Sequence, residues 1–266
     1  MPPTVGTTRA QDGVEIAFDH GGIGDPTLVF VHGWAGNRHH WDQQWDTFST
    51  AHRVVRIDLA SHGESGTERQ QWTTKSFAAD VVAVIDTLAL QRVILIGHSL
   101  GGSVVVAAAT ALGDRLVSVI GVDTWSALGS SASPEDTESS ILLPEMRTDY
   151  RTGAARFVKL MCGPTASPAL VEQITSEVIA IPPHIAVGVL EGVSQGGRSE
   201  LTDGLRSLAV PVSAISSETF RPKDNTALAS FGITNVTMRG TGHYLMLERP
   251  DEFNAELALA IARATI

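Results

Sequence analysis

The chain of 266 residues has one cysteine, Cys162, only two tyrosines, and 19 lysines and arginines against 29 aspartates and glutamates. A single thiol excludes an intrachain disulfide and leaves no thiolate set for a structural zinc. Cys162 itself reads as a small apolar core residue, because it has neither a histidine neighbour nor a helix start to activate it. The formal net charge is −10, and no lysine or arginine run exceeds two residues. Both facts argue against nucleic acid or an anionic membrane as partner. No apolar stretch of about 18 residues occurs, and residues 1–5 carry neither a basic region nor an apolar run. A cytoplasmic protein with no membrane partner is therefore expected. Internal repeats and low-complexity tracts are also missing.

What is present suits one enzyme-sized domain: 43% of residues are hydrophobic and 18% charged, enough to bury one sheet with helices on both faces. Strand-like and helix-like segments alternate, which implies a mostly parallel sheet with right-handed crossovers. Residues 14–18, 27–31 and 54–57 read as strands. Residues 39–48 and 74–88 read as helices, the second through Phe77, Val81, Val84, Ile85 and Leu88. The alternation breaks between residues 126 and 205, where helical stretches follow one another without a buried strand. This predicts a core from residues 1–125 and 206–266 with a helical cap of residues 126–205. The cap opens on the capping-rich run 129–136 and continues through 156–161, 168–181 and 183–193. Ile141, Leu142, Leu143, Met146, Phe157, Met161, Ile185, Val189 and Leu190 read first as helix packing, with a pocket lining as the alternative.

The most informative segment is Val93-Ile94-Leu95-Ile96-Gly97-His98-Ser99-Leu100-Gly101-Gly102. An apolar strand runs into Gly-x-Ser-x-Gly and then into an apolar helix over residues 103–112. The glycines allow a tight strand-to-helix turn that lifts the Ser99 hydroxyl over a helix N-terminus, where negative charge is favoured. Such a serine needs a base, and the base needs an acid to hold its tautomer. His243 is the candidate base. It lies in a loop after the late strand that includes Val236 to Met238, so it can reach the C-terminal edge of the sheet, where ligands bind in open α/β folds.

These pieces make the chain similar to the α/β-hydrolase superfamily over nearly its whole length. The likeness rests on His32-Gly33-Trp34 after a strand, Asp58-Leu59-Ala60-Ser61-His62-Gly63-Glu64-Ser65, Gly97-His98-Ser99-Leu100-Gly101-Gly102, and Gly242-His243 followed by Glu248-Arg249-Pro250-Asp251. It implies an α/β-hydrolase fold with an inserted cap, Ser99 as nucleophile and His243 as base. The Trp34 and Leu100 amides would form the oxyanion hole. The commonest family pattern has an aspartate shortly after the strand that here reads Val210 to Ile215, but Phe220 falls at about that position. Glu218 and Asp224 flank it. Some relatives take the acid from the preceding strand instead, and here that strand, residues 116–122, ends in Asp123. An aspartate closing an apolar parallel strand must find a partner or become costly to bury, and an imidazole N–H is a suitable one. Asp123 is the favoured acid, with Glu218 the alternative.

Trp125, Tyr244, His98 and Gly33 complete the candidate pocket. His39 and His40 read as a helix start and a surface position. With Asp42 as the one nearby carboxylate they make no metal set, and His62 reads as structural. The function expected is a cofactor-independent serine hydrolase acting on an ester, lactone or similarly activated carbonyl of a small, largely apolar molecule. A cofactor-free dioxygenase cleaving an N-heteroaromatic, hydroxy-quinolone-type ring is the alternative on the same fold, though Leu100 stands where its members are expected to carry a second histidine. A small-molecule sensor is a third class. Substrate identity and oligomeric state are not legible in the residues.

Overall fold

The computed structural model describes residues 2–126, 128, 138–219 and 225–265, with backbone alone for 138–142, 195–198 and 225. The run 129–136, Phe220 and Asp224, and the side chains of Ile141 and Leu142, lie outside that description.

Eight strands form one sheet in the order β1-β2-β4-β3-β5-β6-β7-β8. They are β1 (Thr4–Arg9), β2 (Glu15–Gly21), β3 (Thr27–Val31), β4 (Val54–Ile57), β5 (Val93–His98), β6 (Leu116–Val122), β7 (Val212–Ser217) and β8 (Thr234–Met238). β2 runs antiparallel to both of its neighbours, and the remaining pairs are parallel. The central strands β3, β4 and β5 are buried at every position, as befits β-branched runs covered on both faces. The pattern of residues 4–9 predicted no strand. β1 is nonetheless held to β2 by a full antiparallel register, Thr4 opposite His20 through Arg9 opposite Glu15. Its side chains are mostly exposed, so the hydrophobic periodicity that reveals buried strands is missing. β2 extends to Gly21, beyond the predicted end at Phe18.

Helices cover the sheet. α1 (Asp42–Phe48) follows a 3-10 turn over Arg38–Trp41, and α2 (Thr74–Thr87) opens on a reciprocal capping box between Thr73 and Ser76. α3 (Leu100–Ala109) follows β5 directly and is apolar on all sides, as a helix packed between a sheet and another helix must be. Between β6 and β7 come α4 (Glu138–Thr148), α5 (Tyr150–Met161), α6 (Pro168–Ala180) and α7 (Pro183–Ser207). These four helices pack on one another, and α7 also lies against α2 and α3. α7 runs well beyond the predicted end at residue 193. Its glycines permit close packing: a Cβ on Gly192 would overlap the carbonyl of Trp72, and one on Gly204 would press on Val106 of α3. Short α8 (Asn225–Ser230) precedes β8, and α9 (Leu245–Glu248) and α10 (Pro250–Ala264) close the fold. Among the described residues no single helix is long and apolar enough to cross a membrane.

Met146, Met161, Ile185 and Val189 are buried in the core, in line with helix packing. Cys162 is half-buried against the same core, and burial, aided by Glu248, pushes its thiol to about 11. It stays protonated.

Among the buried groups, His32, His62, His98 and Asp80 make the stability of this fold depend on pH. Burial is the largest cause holding His32, His62 and His98 below the ordinary imidazole value. Each is neutral in the folded chain, whereas the unfolded chain takes up the proton near pH 6.5. Their contribution to stability is therefore present above pH 6.5 and is lost as pH falls. Asp80 works in the opposite sense: burial, partly offset by Arg69, raises its carboxyl to about 6. Below that pH the folded chain holds a proton that the unfolded chain does not. Urea unfolding should therefore show stability falling as pH drops below 6.5, with Asp80 offsetting part of the loss below pH 6. A flat stability profile from pH 7 to 5 would contradict this assignment.

Candidate active site

Ser99 occupies the turn between β5 and α3 with φ 53 and ψ −118, a left-handed backbone that costs a non-glycine residue of order 1 kcal/mol or more. The surrounding glycines make the turn sterically feasible. A Cβ on Gly97 would overlap the carbonyl of Gly101, and one on Gly101 would press into the His32 carbonyl. The chain after β6 buttresses the same turn. The Ser99 amide donates to the Val122 carbonyl (2.9 Å), and the Thr124 hydroxyl donates to the Ser99 carbonyl (2.8 Å).

Asp123 follows β6 directly, with φ 43, and is buried. Its Oδ1 accepts from the Ser217 amide at 2.6 Å, and its Oδ2 accepts from His243 Nδ1 at 2.7 Å. A buried carboxylate whose two oxygens both accept hydrogen bonds meets the condition for burying charge. The His243 amide donates to the Met161 carbonyl at the end of α5 (2.7 Å), and the His243 carbonyl accepts from His98 Nε2 (2.8 Å). Glu248 fastens the segment just before His243. Its two oxygens accept from the amides of Gly242 (2.9 Å) and of Gly163 (3.2 Å), the latter in the turn after α5.

The loop after β3 brings Gly33 and Trp34 to the same edge. His32 holds it: Nδ1 donates to the Gly33 carbonyl (2.7 Å), and Nε2 accepts from the Leu59 amide (3.0 Å). Leu59 lies in the turn after β4, which Asp58 organises by accepting from the Arg38 and Glu64 amides and pairing with the Arg38 guanidinium. The Trp34 indole N–H donates to the Ala186 carbonyl on α7 (2.9 Å), and its ring meets Phe157 edge-on with centroids 5.1 Å apart.

Gly33, Trp34, His40, His98, Ser99, Phe157, His243 and Tyr244 line one pocket. The sequence-predicted Ser99, His243, Trp34, Gly33, His98 and Tyr244 thus come together, with Asp123 bonded behind His243 and Leu100 opening α3 beside Ser99. Two candidates lie elsewhere. Glu218 is not at the imidazole, because its carboxylate accepts from the Gly240 amide at 3.3 Å. Trp125 is not among the lining residues, since its backbone turns at φ 62 and its ring packs over Gly121.

His40 is a correction. Predicted at the surface, it is 3% exposed, and its Nε2 donates to Glu177 Oε2 on α6 at 2.7 Å. Burial alone would raise the Glu177 carboxyl, but the hydrogen bonds from His40 and Gln173 outweigh it and hold the carboxyl below its ordinary value. The local sequence offered one signal. A 3-10 turn aligns residues three apart rather than 3.6, and here it buries Arg38, His40 and Trp41 while His39 stays exposed. The partner, 137 residues away, offered none. Among the described residues no three histidine, cysteine, aspartate or glutamate side chains group so as to hold a metal.

A family model described as the alpha/beta hydrolase family matches residues 28–256. The chain belongs to that family. Over 108 residues this α/β hydrolase is 31% identical to the dihydrolipoyllysine-residue acetyltransferase component of an acetoin-cleaving system from Cupriavidus necator, covering 41% of this chain and 29% of that protein. Over 100 residues it is 35% identical to a bifunctional esterase/perhydrolase from Acinetobacter calcoaceticus, covering 37% of this chain and 36% of that protein. The matched part thus spans little more than a third of these curated relatives at most. In fold it is similar to a thermophilic esterase from Thermogutta terrifontis, with 24% identity, a TM-score of 0.82 and 99% of each chain covered.

Removing the Glu177 carboxylate strands a buried imidazole N–H. Glu177→Ala should lower unfolding stability by about 1–3 kcal/mol, with Glu177→Gln, which keeps an acceptor, losing less. Equal urea midpoints for the parent and Glu177→Ala would show that the bridge contributes nothing.

Proposed function

We propose that this chain is a cofactor-independent serine hydrolase that cleaves an ester, lactone or related activated carbonyl of a small, largely apolar molecule. The observation that carries the reading is the 2.7 Å bond from His243 Nδ1 to buried Asp123, with His243 lining the same pocket as Ser99. That bond leaves Nε2 as the basic nitrogen. Ser99 attacks the carbonyl carbon while His243 takes the hydroxyl proton. The Trp34 and Leu100 amides stabilise the oxyanion, each worth on the order of 3 kcal/mol. Collapse breaks the bond to the leaving oxygen, which receives the proton from His243. His243 then deprotonates water, which attacks the acyl-enzyme, frees the acid and restores Ser99. For a lactone the leaving oxygen stays tethered and the product is a hydroxy acid.

The aromatic walls, Trp34, Phe157 and Tyr244, suit an apolar acyl group. The helices of residues 126–205 act as a cap over Ser99, supplying Phe157 to the pocket and the Ala186 carbonyl that holds Trp34. The esterase and esterase/perhydrolase names of similar proteins agree with this chemistry. No residue of the pocket favours the ring-cleaving dioxygenase.

A fluorophosphonate probe should add one equivalent to the protein and none to Ser99→Ala, with short-chain p-nitrophenyl esters turned over only by the parent. A folded parent that takes up no probe and turns over no ester would refute the proposal. Asp123→Asn should lower kcat roughly 10^4-fold, whereas Glu218→Gln should stay close to the parent. The reverse ranking would make Glu218 the acid.

A further inference from the structure

His98 touches three parts of the site at once. It stands between Gly97 and Ser99, and its side chain is almost fully enclosed, 2% exposed. Its Nε2 donates to the main-chain carbonyl of His243 at 2.8 Å, and the two rings lie with centroids 4.7 Å apart. On the other side, a Cβ on Gly33 would come within 2.9 Å of His98 Nδ1 and 3.0 Å of Ser99 Cβ. Trp41 and Tyr244 complete the enclosure, with ring centroids at 6.5 and 5.7 Å. Burial holds the imidazole well below its ordinary value, so the ring is neutral and carries one N–H. The carbonyl of His243 fixes that proton on Nε2, and Nδ1 is a buried lone pair without a partner.

We propose that His98 is a positioning residue: its N–H holds the His243 carbonyl and so fixes where the His243 ring hangs relative to Ser99. The inference rests on the reading of Ser99 and His243 as nucleophile and base. The bond to Asp123 pins one atom of the His243 ring, and the main-chain bonds on either side of Cα, the amide to Met161 and the carbonyl to His98, fix the point from which the ring hangs. Gly240, at φ +73, and Gly242 precede His243 and offer no side chain to place it, while Glu248 holds the Gly242 amide. Of the two anchors, Met161 belongs to the inserted helices and His98 to the sheet. His98 is also bonded covalently to Ser99, so its hydrogen bond places the base in the backbone frame of the nucleophile itself. A displacement of about 1 Å in such an arrangement lowers turnover on the order of 10^2-fold.

The test compares His98→Met, which keeps bulk without a donor, with His98→Gln, whose side-chain amide reaches toward the same carbonyl. Each is assayed for p-nitrophenyl ester hydrolysis, rate of fluorophosphonate labelling, thermal unfolding, and the downfield imidazole N–H resonance of His243. His98→Met should lower kcat about 10^2-fold with KM within about twofold, slow labelling in parallel and broaden the His243 resonance. His98→Gln should recover most of all three. A kcat for His98→Met within about threefold of the parent would overturn the proposal. So would equal losses in both variants that follow a loss of thermal stability. Should His98→Met not fold, His98→Asn takes its place, being polar but too short to reach the carbonyl. If the parent neither turns over ester nor takes up the probe, the hydrolase reading fails separately. The resonance alone then decides His98: unchanged in His98→Met overturns the inference, broadened there and restored in His98→Gln upholds it.

Discussion

The site depends on a steric constraint: three segments approach so closely around Ser99 that Gly97, Gly101 and Gly102 have no room for a side chain of their own. The loop after β3 passes over the head of α3, where Gly101 lies against the carbonyls of Val31 and His32, and the turn after β6 presses Thr124 against Gly102. Contacts of this kind gain dispersion and remove water without any one strong bond. They also set the three strand ends, and with them Trp34, Ser99 and Asp123, in a fixed mutual geometry before any side chain is considered. The left-handed backbone at Ser99 and Asp123 is tolerated because neighbouring segments hold it from both sides.

On that frame the polar groups are satisfied in a chain. Asp58 organises the turn that gives the Leu59 amide to His32, His32 fixes the Gly33 carbonyl, and Asp123 links the ends of β6 and β7 to His243. Asp58, His32 and Asp123 each have their charge or tautomer set by a named partner, and few alternative arrangements satisfy all three together. Specificity of this kind is what a catalytic geometry requires more than raw stability.

Much of this was legible in the residues. Gly97 to Gly102 carries its own steric logic, and the apolar runs of β3 to β6 give the parallel sheet and the edge to which the loops converge. Asp123 was readable because an aspartate ending an apolar strand demands a partner. Glu218, one residue beyond β7, was the alternative in sequence, and its carboxylate bonds the Gly240 amide instead of an imidazole. The less legible parts share a cause, which is that their partners are remote in sequence. β1 is held by main-chain bonds, which leave no hydrophobic signature. His40 is buried by a 3-10 turn and bonded to a helix more than a hundred residues later. Glu248, quoted as a motif residue, grips amides on two different segments, and nothing in its neighbours announces that.

The bond from the His243 amide to the Met161 carbonyl bears on how far this fold is modular. The run of helices between β6 and β7 looks like an exchangeable part. Here it holds one end of the loop that carries His243, with Gly163 and Gly242 in backbone contact beside it. A chimera that transplants the helical segment from a relative must therefore present a carbonyl at that spot and leave a side-chain-free gap next to it. Recombination at the sheet boundaries alone would exchange the pocket walls and unseat His243 in the same step.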